Sequence, residues 1–84
     1  MEAGRLKYVY ILQCIGEADR HYVGLTSDLR ARLLRHNGGQ VGHTAKYAPW
    51  RVKTYFAFTD EPRAVAFEKY LKTASGRAFA KKRL

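Results

Sequence analysis

The stretch Tyr22-Val-Gly-Leu-Thr-Ser-Asp-Leu-Arg-Ala-Arg-Leu-Leu-Arg-His-Asn37 constrains the fold more than any other. It reads as the end of a strand, a tight turn and an amphipathic helix. Gly24 sits where strand gives way to turn, a place that calls for unusual φ or close approach of another part of the chain. Thr26 or Ser27 is expected to cap the helix, with Asp28 placing negative charge in its first turn. Leu29 and Leu33, four apart, are expected to face a core, and Arg32 and His36, also four apart, to share the next stripe. Asn37-Gly38-Gly39 ends the helix, which is predicted over residues 28–37.

The other elements arrange themselves around this unit. Lys7-Tyr-Val-Tyr-Ile-Leu-Gln13 is aromatic and β-branched and predicts a strand, with Tyr8 and Tyr10 on one face and Val9 and Ile11 on the other. A polar turn at residues 16–20 and a return strand from His21 to Gly24 make a hairpin, bringing Tyr10 and Tyr22 near each other on one face. Residues 38–49, with three glycines and a proline, read as a long mobile loop that carries His43, Thr44, Lys46 and Tyr47 and is expected to order on a ligand. Trp50 to Phe58 is a third strand; strict alternation puts Val52, Phe56 and Phe58 on one face and Tyr55 on the other. Thr59 or Asp60 caps a second helix from Arg63 to about Thr73, with Pro62 in its first turn and Phe67 and Leu71 on its inner stripe. Ala74-Ser-Gly76 is expected to break it, leaving Arg77 to Leu84 as a short basic helix or frayed tail anchored by Phe79. The expectation is a single domain over residues 1–84, with α+β architecture.

Charge narrows the function. Sixteen Lys and Arg against seven Asp and Glu give a formal +9, spread from Arg5 to Arg83. A folded basic domain of this kind favours nucleic acid as partner, ahead of acidic membrane surfaces. Cys14 is the sole cysteine, which excludes an internal disulfide and a cysteine-rich zinc site and reads as a small core residue. No apolar run approaches membrane-spanning length. The first residues have charge but no apolar block with a cleavage site. A soluble, cytoplasmic protein is expected.

Glu68 stands beside Phe67 on a helix that packs inward, and a carboxylate at the edge of a buried face is a candidate ligand for a hard cation such as Mg²⁺. On spacing alone, a solvated pair with Lys72 at i+4 is the simpler reading. Arg32 and His36 taken singly read as a solvated helix face, and Tyr10 and Tyr22 as strand packing. Taken together they match what phosphodiester hydrolysis needs: a metal to polarise the phosphate, a cation for growing charge, and a group to position or deprotonate water.

The order Tyr8-Val9-Tyr10, eleven residues, Tyr22-Val23-Gly24, then Arg32, His36 and the helical Glu68 resembles the paired signature of the GIY-YIG nucleases, and of their small single-domain bacterial members most of all. The resemblance implies a three-stranded antiparallel sheet flanked by helices and an endonuclease that hydrolyses DNA, in repair or recombination. It implies one divalent metal, Mg²⁺ or Mn²⁺, held by Glu68, with Arg32 near the scissile phosphate. Tyr10 and Tyr22 would line the site, one helping to activate water, with His36 hydrogen-bonded nearby; Tyr10 and His36 both remain open as the proton acceptor. Tyr8 stands in place of the family's first glycine, and no asparagine follows Glu68, leaving Ser75, Arg77 or Lys81 in that region. Arg35, Lys46, Tyr47, Arg51, Lys72 and Arg77 are the candidate nucleic-acid contacts. DNA is the expected partner, RNA stays open because nothing reads a sugar, and sequence specificity is expected to be low or to come from DNA structure or a protein partner. The rival reading is a non-catalytic nucleic-acid-binding module or a subunit of a larger DNA-processing complex.

Overall fold

The computed structural model describes residues 6–84. Residues 1–5, on which the expectation about a leader sequence rests, lie outside the described residues. The elements run β1 (Lys7–Cys14), β2 (His21–Thr26), α1 (Leu29–Asn37), α2 (Gly42–Ala45), β3 (Trp50–Phe58), α3 (Glu61–Leu71) and α4 (Ala74–Arg83). The strands form one antiparallel sheet in the order β2-β1-β3, the α+β arrangement expected. β1 is central because it is the strand with apolar residues on both faces: Val9, Tyr10, Ile11, Leu12 and Cys14 are all buried.

Each face builds its own core. Val9 and Ile11 pack with Ala64 and Leu71 of α3, joined by Val23, Leu25, Phe58 and Phe67. Tyr10, Leu12 and Cys14 pack with Trp50 on the opposite face, where Leu29 and Leu33 of α1 close over them. Each fully buried aliphatic side chain contributes about 1.5–3 kcal/mol. Cys14 also donates its thiol hydrogen to the Tyr47 carbonyl, 3.1 Å away.

Strict alternation fails in β3. Ile11 pairs with Thr54 and Leu12 with Val52, so Lys53 is an extra residue in a β-bulge. One extra residue exchanges the two faces of the strand. Val52 therefore packs with Tyr10 and Leu12, whereas Phe56 and Phe58 stack on Phe67 on the other side. The expected single face for Val52, Phe56 and Phe58 is thus corrected, and Tyr55 lies beside Tyr8 on the α1 face.

The helix ends differ in detail from expectation. Asp28, not Thr26 or Ser27, caps α1: its carboxylate accepts from the Ala31 amide, while Thr26 Oγ1 accepts the Asp28 amide. Such a cap contributes about 1 kcal/mol. Asp60 caps α3 in the same way, so the helix starts at Glu61, two residues ahead of the predicted Arg63. Ala74-Ser-Gly76 is the first turn of α4 rather than a tail boundary, because Thr73 Oγ1 accepts the Gly76 amide and restarts the helix. Gly76 is buried where a Cβ would meet the Tyr70 carbonyl oxygen at 1.8 Å, so only glycine permits this helix–helix corner. Ala80 and Leu84 anchor α4 on the core; Phe79 is more exposed and meets the Tyr70 ring at 6.0 Å. The segment 38–49 contains α2 and a buried Thr44, which corrects its reading as an open loop.

Candidate active site

Gly24 is the hinge of the site's construction. It pairs with Tyr10 across β1 and β2, and a Cβ there would stand 2.3 Å from both Cζ and the hydroxyl oxygen of Tyr10. The missing side chain lets the Tyr10 ring lie flat over β2 and deliver its hydroxyl to α1. There the hydroxyl meets His36 Nε2 at 3.0 Å, with both residues fully buried.

The network continues into α2. His36 Nδ1 lies 2.7 Å from Thr44 Oγ1, and Thr44 Oγ1 lies 3.2 Å from the Val41 carbonyl. A carbonyl only accepts, so the threonine hydrogen goes to Val41, and the threonine oxygen accepts the hydrogen on His36 Nδ1. Nε2 is then left as the lone pair that accepts from Tyr10. Burial, followed by the charges of Arg32 and Arg35, pushes the His36 pKa below its ordinary value and keeps the ring neutral. Burial also raises the Tyr10 pKa to about 12, reinforced by Tyr22 and opposed by Arg32, with Glu68 adding a small upward push. Trp50 fixes the far side: its indole N–H donates to the Thr44 carbonyl at 3.0 Å, and its backbone exchanges two hydrogen bonds with the Asn37 side chain.

Tyr22 packs against this network from the sheet edge. Its ring is 6.4 Å from Tyr10, 4.9 Å from His36 and 6.2 Å from His43, and it is partly exposed. Arg32, also partly exposed, is the cation nearest Tyr10 among the influences on its ionisation. Tyr10, Tyr22, Arg32 and His36 are therefore gathered into one cluster.

Glu68 approaches from α3. Its side chain is only 14% exposed, and it forms an ion pair with Lys72 one turn on. An i,i+4 pair of this orientation contributes about 0.3–0.5 kcal/mol; the expected pairing with Lys72 is present, with the carboxylate nearly covered rather than solvated. Among the described residues no group of three or more His, Cys, Asp and Glu could hold a metal ion. A lone hard carboxylate fits Mg²⁺ or Mn²⁺ when phosphate oxygens and water complete the shell, the habit of Mg²⁺ at phosphoryl sites. It does not fit zinc.

The candidate nucleic-acid contacts scatter. Arg35 and Lys46 are exposed, and Arg51 is tied to Gln13. Tyr47 packs into the core, and the Arg20 guanidinium covers its ring at 3.7 Å, so that face is not free for a base. Lys72 and Arg77 line a broad groove with Lys53 and Lys81. The role of Thr44 went unrecognised in the sequence; a polar residue eight positions after a helical histidine gives no signal unless α2 is seen to fold back.

Comparison with known proteins agrees with this geometry. Residues 6–83 match the family model of the GIY-YIG catalytic domain. A "UPF0213 protein" of Lacticaseibacillus paracasei is 34% identical over 71 residues, which cover 83% of this chain and 78% of the relative. A "UPF0213 protein" of Streptococcus pneumoniae is 38% identical over 69 residues, covering 77% of this chain and 65% of the relative. One from Streptococcus pyogenes serotype M3 is 32% identical over 75 residues, 84% of this chain and 76% of the relative. No solved structure matches the chain. No helix among the described residues is long and apolar enough to cross a membrane. With a three-stranded sheet, the gathered tyrosines and histidine, and a family match along nearly its whole length, the chain belongs to the GIY-YIG family and has its nuclease-type fold.

Proposed function

We propose that this protein is a metal-dependent endonuclease that hydrolyses DNA phosphodiester bonds. The observation that carries the reading is the buried hydrogen bond from Tyr10 to a neutral His36, held in one tautomer by Thr44. A tyrosine whose pKa stands near 12 is a poor base alone. Coupled to His36 it becomes a competent one: as Tyr10 accepts a proton from water, its own passes to His36 Nε2. The acceptor is the pair, not either residue singly.

Tyr10 is fully buried at rest, so water reaches the pair by a shift of the Tyr22 ring, and the Tyr22 hydroxyl is the first to meet substrate. Arg32 neutralises charge building on the phosphate. Glu68 would hold Mg²⁺ or Mn²⁺, which when bound supplies Lewis-acid polarisation of the phosphate oxygen. The surface charge of +9 holds the polyanion. A role in repair or recombination, a protein partner that adds specificity and a cytoplasmic setting are parts of the same proposal.

The test is cleavage of plasmid and branched DNA with Mg²⁺ or Mn²⁺ by wild type, Glu68→Ala and Arg32→Ala, beside an EDTA control. Metal-dependent cutting that both substitutions abolish is expected. Folded wild type that binds DNA with steep salt dependence but never cuts would instead establish a binding module.

A further inference from the structure

The catalytic cluster leaves one large feature unused. A groove of about 1060 Å³ runs from Tyr22 and His43 across the end of the sheet, between it and α3 and α4. Its floor is aliphatic, with Ile11, Val23 and Leu71. Its walls carry His21, Lys53, Lys72, Arg77 and Lys81 against one side-chain carboxylate among the described residues, Asp19. Lys53 is there because the bulge in β3 places it there, and its charge is felt by His21 across the sheet. Cationic walls over an apolar floor suit a polyanion with flat apolar bases. A groove of this size takes a few nucleotides of one strand.

The groove also meets Glu68 through one residue. Lys72 lines the groove, yet its ammonium sits on one oxygen of the Glu68 carboxylate, where its positive charge competes with that of a metal ion. Glu68 is nearly covered, while Lys72 is half exposed and free to swing. We propose that one strand of the nucleic acid lies in this groove, and that Lys72 leaves Glu68 for the strand's phosphates as a divalent cation takes the carboxylate. This rests on the endonuclease reading and adds to it a coupling. Strand and metal each favour the arrangement with Lys72 turned outward, so each tightens the other by the same factor.

Two measurements test it. The first is Mn²⁺ binding without nucleic acid, read by electron paramagnetic resonance, for wild type, Lys72→Met, Lys69→Met and Glu68→Gln. Lys69 is an exposed neighbour that controls for net charge. Lys72→Met is expected to bind Mn²⁺ several-fold more tightly than Lys69→Met, and Glu68→Gln to bind none. Equal affinity in the two lysine variants would overturn the exchange. The second is fluorescence anisotropy of a phosphorothioate oligothymidylate, single-stranded and as a duplex with oligoadenylate, at several salt concentrations. Lys53→Gln and Lys81→Gln should each weaken the single strand and lower the salt slope by about one. Unchanged affinity in both variants, or binding of the duplex alone, would overturn the groove even if wild type cuts DNA. Mn²⁺ retained by Glu68→Gln, or no binding of either oligonucleotide by wild type, would overturn the endonuclease reading itself.

Discussion

The two halves of the candidate site are built in opposite ways. On the α1 face, Tyr10, His36 and Thr44 are fully or almost fully buried, neutral and joined by hydrogen bonds with no missing partner. On the α3 face, Glu68 is held by one lysine at the mouth of an open, cationic groove. The first half is complete without ligand, and the second is completed by ligand. Proton handling needs fixed distances and a defined tautomer, which packing supplies. Phosphate and metal binding need charge that can change partners, which only a solvated surface allows. The contrast predicts that substitutions on the two faces fail differently: the first in stability and activity together, the second in activity alone.

The largest expected effect lies on the open face. Glu68→Gln should lower cleavage about 100–1000-fold, equivalent to about 3–4 kcal/mol at the transition state. Its melting temperature should stay near that of wild type, since only an i,i+4 ion pair with the half-exposed Lys72 is lost. Steady-state cleavage beside a thermal melt checks both halves of the statement. A large fall in stability would erase the contrast and make Glu68 a structural residue.

Gly24→Ala attacks the closed face. The new methyl group would lie within 2.3 Å of Tyr10, so the ring must leave its place over β2 and lose His36. Overpacking of that severity costs about 3 kcal/mol. Urea denaturation should show it, together with loss of cleavage. A variant with wild-type stability and reduced activity would mean that Tyr10 is held less firmly than its burial implies.

These same residues show what the sequence could and could not convey. The nearness of Tyr10 to Tyr22 and the shared helix stripe of Arg32 and His36 were legible because strand alternation and the i,i+4 spacing of helices are short-range rules; joining them to Glu68 as one candidate site took the resemblance to the GIY-YIG nucleases. So was the core stripe of Phe67 and Leu71. The bulge at Lys53 was not legible, because alternation of Trp50, Val52, Thr54, Phe56 and Phe58 runs unbroken through it; only pairing with β1 reveals the extra residue. The restart of α4 was hidden for a related reason. Gly76 looks like a helix stop in one dimension, whereas in three it is where α4 crosses the Tyr70 carbonyl. The segment 38–49 looked mobile from its glycines, yet only Gly39 uses a positive φ, and Thr44 pins the rest to His36.

Thr44 therefore gives a finer probe of the closed face. Thr44→Val keeps the shape but leaves the buried His36 Nδ1–H without its acceptor. The cost should be about 2 kcal/mol. Losing the fixed tautomer should also lower the rate and displace the acid limb of its pH profile. Thr44→Ser, which keeps the hydroxyl, should restore the profile even where some stability is lost through the missing methyl group. A role in packing alone would give the reverse order, with valine the better replacement.

The smallest effect expected is that of pH near neutrality. His36 faces Tyr10 from β1, Tyr22 from β2, Thr44 from α2, and Arg32 and Arg35 on its own helix. No carboxylate figures among the influences on its ionisation, and its folded pKa is depressed below 6.5. The unfolded chain therefore takes up that proton first, so the stability is fully present above about pH 6.5 and is lost as pH falls below it. Tyr10 behaves as the mirror image. It faces Tyr22, Arg32, Glu68 and His36, and its folded pKa is raised from 10.0 to about 12. The unfolded chain gives up that proton first, so stability is full below about pH 10 and falls as pH rises toward 12. Urea denaturation from about pH 5 to about pH 11 should thus give a plateau with two shoulders. Tyr10→Phe should remove the alkaline shoulder. His21, whose pKa is also lowered, adds to the acid one, so His21→Gln should shrink that shoulder without abolishing it. An acid shoulder that vanishes with His21→Gln would mean that His36 titrates normally, and the closed face would then be open to water after all.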